Sequence, residues 1–184
     1  MNDTDTPSST GVIPADAFIP GHDRDEVNGD RHLTGWAAES AARALSGFGE
    51  QGADARVLAA LTAARAWADG SGDVDACREA AFEAQLSARD AQDDGYRALA
   101  TAFRAAASAA ASVDDSRLAT DAAALAAEAI TSNSAPCEQD FNAGTERRRQ
   151  WEALPETLRP SVFAVEPPDP APAACAIEVV SPGQ

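Results

Sequence analysis

An all-α fold is predicted for this chain, with about six antiparallel helices in a compact bundle or a short array of helical hairpins. Three observations predict it. About a quarter of the 184 residues are alanine, which loses no side-chain entropy in a helix and is a poor strand former. Between positions 30 and 160, glycine, proline or aspartate interrupts the chain roughly every twenty residues, in the manner of helix stops and caps. Within each interval apolar residues recur at i, i+3/i+4 spacing, the period of an amphipathic helix.

The elements follow in order. A first helix over 30–48 carries Leu33, Trp36, Ala37, Ala41, Ala44, Leu45 and Phe48 on one stripe, and Gly47, Gly49 and Gly52 stop it. A second, 55–69, starts behind Asp54 as N-cap, turns Val57, Leu58, Leu61, Ala64, Trp67 and Ala68 inward, and ends at Gly70 and Gly72. Asp73 or Asp75 caps a third, 75–91, whose face is made of Val74, Cys77, Ala81, Ala84, Ala88 and Ala91. Asp94 caps a fourth, 95–112, striped by Leu99, Phe103, Ala106, Ala110 and Val113. Asp114 caps a fifth, 115–131, built on Leu118, Ala122, Leu125 and Ala129. Ser134 with Pro136 opens a sixth, 136–154. Pro155 and Pro160 then bracket a short terminal turn.

The stripes are narrow and alanine dominates the middle ones, so the helices must approach closely. Large side chains at the edges, Trp36, Phe48, Trp67, Phe82, Phe103, Phe141 and Trp151, are expected to anchor the core. Short connections imply antiparallel neighbours. No strict repeat is visible, which favours a bundle over a solenoid. Three regions result: an acidic tail over 1–29 with few large apolar groups, a helical domain over 30–160, and a proline-rich tail over 161–184. The runs Val162-Phe-Ala-Val and Ala176-Ile-Glu-Val-Val in the last region either dock on the core or stay mobile.

Composition excludes several chemistries. The chain has no lysine; its 14 basic residues are all arginine. A Walker A loop and a Schiff-base enzyme both need lysine, so neither is present. A formal charge of −16 disfavours nucleic acid and anionic lipid as partners and favours a basic protein. About half of that charge lies in residues 1–29 and 161–184, so net charge alone names no binding surface. No apolar run approaches the roughly 20 residues that span a bilayer. The polar, acidic start is unlike a secretory signal. Cys77, Cys137 and Cys175 are odd in number and form no CxxC pair, and are expected as reduced thiols of a cytoplasmic protein.

Catalytic candidates are few. Of two histidines, His22 falls in the first tail and His32 in the first helical turn, read as a surface or packed ring near a helix end. No GxSxG elbow accompanies it, and the Glu-x-x-His pairs of di-iron bundles are missing. Carboxylates such as Glu79 with Glu83 sit on expected outer faces and loop tips, where solvation and capping account for them. No catalytic, metal or cofactor-binding residue is assigned, and no cofactor is expected. The loops say more. In an antiparallel array Asp69, Asp73 and Asp75 lie at the same end as Asp114 and Asp115, and together could steer a basic partner. Glu50, Asp90, Asp93 and Asp94 belong to the other end. Arg147-Arg-Arg149 is read as pairing with nearby acids rather than with nucleic acid.

Three stretches carry a resemblance: Trp36-Ala-Ala-Glu-Ser-Ala with Leu45; Ala63-Ala-Arg-Ala-Trp-Ala-Asp-Gly70; and Glu146-Arg-Arg-Arg-Gln-Trp151 with Leu154-Pro155 and Leu158-Arg159. In that order, over about residues 31–162, the chain resembles the Imm-5-like putative immunity proteins of bacterial polymorphic toxin systems. The resemblance implies an all-helical protein that neutralises a cognate toxin by binding it, without naming the toxin. Trp36, Ala64, Arg65, Trp67, Arg147, Trp151, Leu154, Pro155 and Leu158 match its motifs, and look like fold determinants. Gln85 departs from it, standing where similar sequences often have histidine. A non-enzymatic helical accessory or scaffold protein, with a link to DNA metabolism, is one alternative, although P-loop, CxxC hook and sustained heptads are all missing. An uncharacterised enzyme is another, and needs a deep pocket gathering His32 or several acids.

Overall fold

Alanine at the contact positions sets how the helices meet. The computed structural model describes residues 24–173 and Cys175. Most of the first tail, with His22, and the run from Ala176 onward lie outside the described residues. Among the described residues there are seven α-helices and no strand: α1 (Arg24–Ser46), α2 (Ala55–Ala68), α3 (Val74–Asp93), α4 (Arg97–Ala111), α5 (Arg117–Ser132), α6 (Gln139–Ala153) and the single turn α7 (Arg159–Val162). Short 3-10 turns occupy Gly49–Gly52 and Pro136–Glu138.

The helices alternate in direction, and α4 lies at the centre, packed against α1, α2, α3 and α5. Its buried face runs from Leu99 to Ala110 and is mostly alanine, with Leu99 and Phe103 as the large residues. A side chain of one methyl lets neighbouring backbones come close, so dispersion contacts replace the large-residue burial of an ordinary core. Thr34 and Ser112 meet inside it at 2.8 Å, tying the middle of α1 to the C-cap of α4. At the opposite end Asn133 Nδ2 donates to the Gly47 carbonyl at 2.9 Å. The sixth helix packs on α5 and α1.

Several local expectations are corrected. Asp54 and Asp73 do cap α2 and α3, accepting bonds from the first-turn amides. Asp94, however, is the C-cap of α3, and α4 begins behind Tyr96 with no side-chain cap. Gly95 causes this: its φ of 86° closes α3, with Tyr96 N donating to Ala91 O and Gly95 N to Gln92 O. Ser116, not Asp114, is the N-cap residue of α5. Phe82 is 63% and Phe141 37% exposed, so neither anchors the core; Trp67 and Trp151 are only half-buried. Finally, Cys137 and Cys175 form a disulfide, and only Cys77 is a free, buried thiol. The residues after α7 run back along α6, which brings Cys175 within 5.4 Å of Cys137 between Cα atoms, a normal bridging distance.

Candidate functional site

Because the helices alternate, the connections after α2 and after α4 emerge at one end. Arg78, in the first turns of α3, binds across that end: its Nη2 donates to Asp114 at 2.6 Å and its Nη1 to Asp75 at 2.9 Å. The guanidinium holds the Asp114 carboxyl below the usual carboxylate range, and the two acids raise Arg78 in turn. Asp73 uses one oxygen to accept from Ala76 N at 2.9 Å, and Asp115 accepts from Arg117 N at 3.0 Å. Asp69 is the exposed C-cap of α2. Thus all five aspartates share an end. Asp75 and Asp114 meet through Arg78, Asp73 and Asp115 serve helix starts, and Asp69 turns toward α1 and α6.

There Asp69 lines a groove of about 450 Å³ with Arg31, His32, Trp36, Glu39 and Pro155. Each of the three sequence stretches singled out above therefore reaches the same depression. Its floor is the α1–α2 contact, where Gly35 and Ala68 pack closely. Arg31 lies over the Trp67 ring at 4.9 Å, and neither its Nε nor the Trp67 indole N–H, both buried, has an acceptor. Arg65 pairs with Glu39 at 2.7 Å on the exposed rim.

At the other end Arg56 bridges Asp54 and Asp90. Burial pushes the Asp54 carboxyl up, but bonds from the Arg56 side chain and amide, Ser87 and Val57 N together hold it below the usual range.

Sequence reasoning missed a buried polar network between α1 and α6. Glu146 is 2% exposed and receives Arg43 Nη2 at 2.8 Å and Arg43 Nε at 3.0 Å. Gln150 donates to both Glu146 Oε1 and the Ala123 carbonyl, while Trp36 Nε1 donates to the Gln150 carbonyl at 2.8 Å. The spacing of Glu146 and Gln150, one turn apart and followed by Trp151, was the available signal. Farther along, Arg159 stacks 4.0 Å from the Trp151 ring centre and donates to the Trp151 and Leu154 carbonyls, closing α6. Leu154 is buried beneath this turn, and Pro155 O accepts from Leu158 and Arg159 N. Within the arginine triplet, Arg148 pairs with Glu152 and Glu166 and Arg147 lies over Phe163.

Among the described residues no group of three or more His, Cys, Asp or Glu side chains is arranged to hold a metal ion, and none of their helices is long and apolar enough to cross a membrane. His32, Glu39 and Asp69 do share the groove, but all three are exposed and Glu39 is engaged by Arg65.

The family model described as Imm-5 like putative immunity protein aligns with residues 26–157. No curated protein and no solved structure matches the chain.

Proposed function

The chain belongs to the Imm-5 like putative immunity protein family, and on that premise we propose that it neutralises a cognate toxin by binding a basic face of it with the acidic end of the helical bundle. One observation supports this choice of surface: the loops after α2 and α4 emerge together, with Asp75 and Asp114 close enough to share Arg78. Carboxylates on a rigid end act as a preorganised electrostatic surface, since no loop has to be ordered on binding. Complementary charge speeds encounter and rejects partners of the wrong sign. Neutralisation is by occlusion in this reading, with no bond made or broken by the chain.

The test is neutralisation in cells. Co-expression of the chain with the toxin of its own locus restores growth, and the two proteins co-purify. Asp73→Asn, Asp75→Asn and Asp114→Asn combined keep the α3 cap, because asparagine also caps, yet weaken the complex and reduce protection. Full protection by that folded variant would move the interface elsewhere on the bundle. No complex and no protection with any toxin of the locus would remove the binding function itself.

A further inference from the structure

Cys137 and Cys175 are joined although they lie 38 positions apart, and both residues are exposed. Cys137 sits in the 3-10 turn ahead of α6, and Cys175 closes the stretch that runs back along that helix. Residues 166–173 contain no helix or strand and include Pro167, Pro168, Pro170 and Pro172. Proline has no amide hydrogen to give, so such a stretch attaches through side chains and carbonyls. Arg148 supplies most of the attachment: Nη1 donates to Glu166 at 2.7 Å and to the Pro167 carbonyl at 2.9 Å, and Nη2 lies 3.5 Å from Asp169. Pro167 is buried, and Pro170 presses on Gly144, where a Cβ would come within 3.1 Å of it. Glu166 and Asp169 are open to water, so these ion pairs hold weakly. The covalent bond is the strong fastening.

We propose that Cys137–Cys175 is a reversible redox site: oxidised, it latches residues 164–173 onto α6, and reduced by a low-molecular-weight thiol, it releases them. The chemistry is ordinary exchange. A thiolate attacks one sulfur, the protein S–S bond breaks, and the other cysteine departs as a thiolate that takes up a proton. A second thiol displaces the first from the mixed disulfide. Two small thiols are oxidised to one disulfide while the protein disulfide gains two electrons and two protons. Cys77 stays outside this exchange, because it is buried, its Sγ contacts the Ala63 carbonyl at 3.4 Å, and burial pushes its thiol up. Release takes Glu166 and Asp169 off Arg148, leaving Glu152 as its carboxylate partner, and uncovers the side of α6 they occupied. The inference stands independently of toxin binding.

The test uses the full chain purified without reductant, the same protein equilibrated with a glutathione redox buffer, and the variants Cys137→Ser and Cys175→Ser. Intact mass after alkylation counts free thiols, an elastase that cuts after small aliphatic residues reports access to the Val165–Glu166 bond, and a circular dichroism melt reports the helices. Expected are no modified cysteine before reduction and two after it, with cleavage after Val165 faster by about ten-fold or more in the reduced protein and both variants. The melt stays cooperative, and the alanine-rich helices α4 and α5 stay uncut. Two modified cysteines without reductant, resistance to glutathione, or equal cleavage after Val165 in both states would overturn the proposal. Loss of the cooperative melt on reduction would overturn it too, because the bond would then hold the whole fold rather than a latch.

Discussion

Glu146 is a charged side chain at 2% exposure, and removing a carboxylate from water costs several kcal/mol unless partners compensate. Arg43 gives it a two-pronged contact, and Gln150 a further bond at 3.0 Å. Deleting Arg43 leaves that carboxylate unpaired, so Arg43→Ala is expected to cost about 2–4 kcal/mol, toward the low end because Arg43 itself is 29% exposed and water can replace it. Glu146→Gln keeps the shape and loses only charge assistance, about 1 kcal/mol. Urea denaturation orders the two; a smaller loss for Arg43→Ala than for Glu146→Gln would break the argument. Asp54 gives a pH signature of opposite accessibility. Its folded carboxyl lies below its usual value near 3.8, so the unfolded chain binds more protons in that interval. The stability it contributes is present above about pH 4 and is lost as pH falls through the folded value. Asp54→Asn preserves the cap of α2 but not the charge, so it is expected to lower stability modestly at pH 7, to match the native chain at low pH, and thereby to flatten the acid limb of a Tm-against-pH curve. An unaltered acid limb would assign that loss to other carboxylates.

Helix ends are where the elements of this protein are decided. Gly95 holds a φ of 86° with nothing within 4 Å of where a Cβ would stand, so a substitution there pays for backbone conformation alone. Gly95→Ala is expected to lower stability by about 1–2 kcal/mol, and Gly95→Asn by less, since asparagine tolerates the left-handed region. Thermal melts compare them; equal losses would point to a cause other than conformation. The same residue explains what could be read beforehand. Helix existence and order were legible, because Asp54 and Asp73 precede apolar periodic runs and cap them. Asp94 looked the same in sequence, but a glycine one residue later gives it to the helix before. Asp114 also resembled a cap, and its choice of Arg78 depends on how α3 and α5 lie side by side, which local pattern does not contain. For the same reason the end-sharing of the loop aspartates was legible from alternation alone, while the burial of Glu146 was not: α6 carries few large apolar residues, and nothing short of its docking on α1 turns an acid inward. The Cys137–Cys175 pairing was hidden likewise, since it depends on the path of residues 163–173 along α6.

For the molecule as a whole, the alanine core and the charge distribution bear on each other. Helices separated by single methyl groups form a rigid body with little slack, so Ala106→Leu at the fully buried centre of α4 is expected to cost about 1–3 kcal/mol through overpacking. A rigid body also presents its end charges in fixed positions. At the acidic end Arg78 offsets Asp75 and Asp114, and all three side chains are well exposed. Exposed pairs of this kind contribute little to stability, so Arg78→Ala is expected to shift Tm only slightly. Its effect on partner encounter is larger, because two carboxylates lose their counter-charge. If that end steers a basic toxin, Arg78→Ala raises the association rate by about threefold at low ionic strength, and the gain fades as salt shortens the screening length toward 8–10 Å. Stopped-flow association at two salt concentrations separates the possibilities. An unchanged rate at low salt would mean that Asp73, Asp75, Asp114 and Asp115 serve only the helix ends they cap and pair, and that the toxin approaches the bundle from another side.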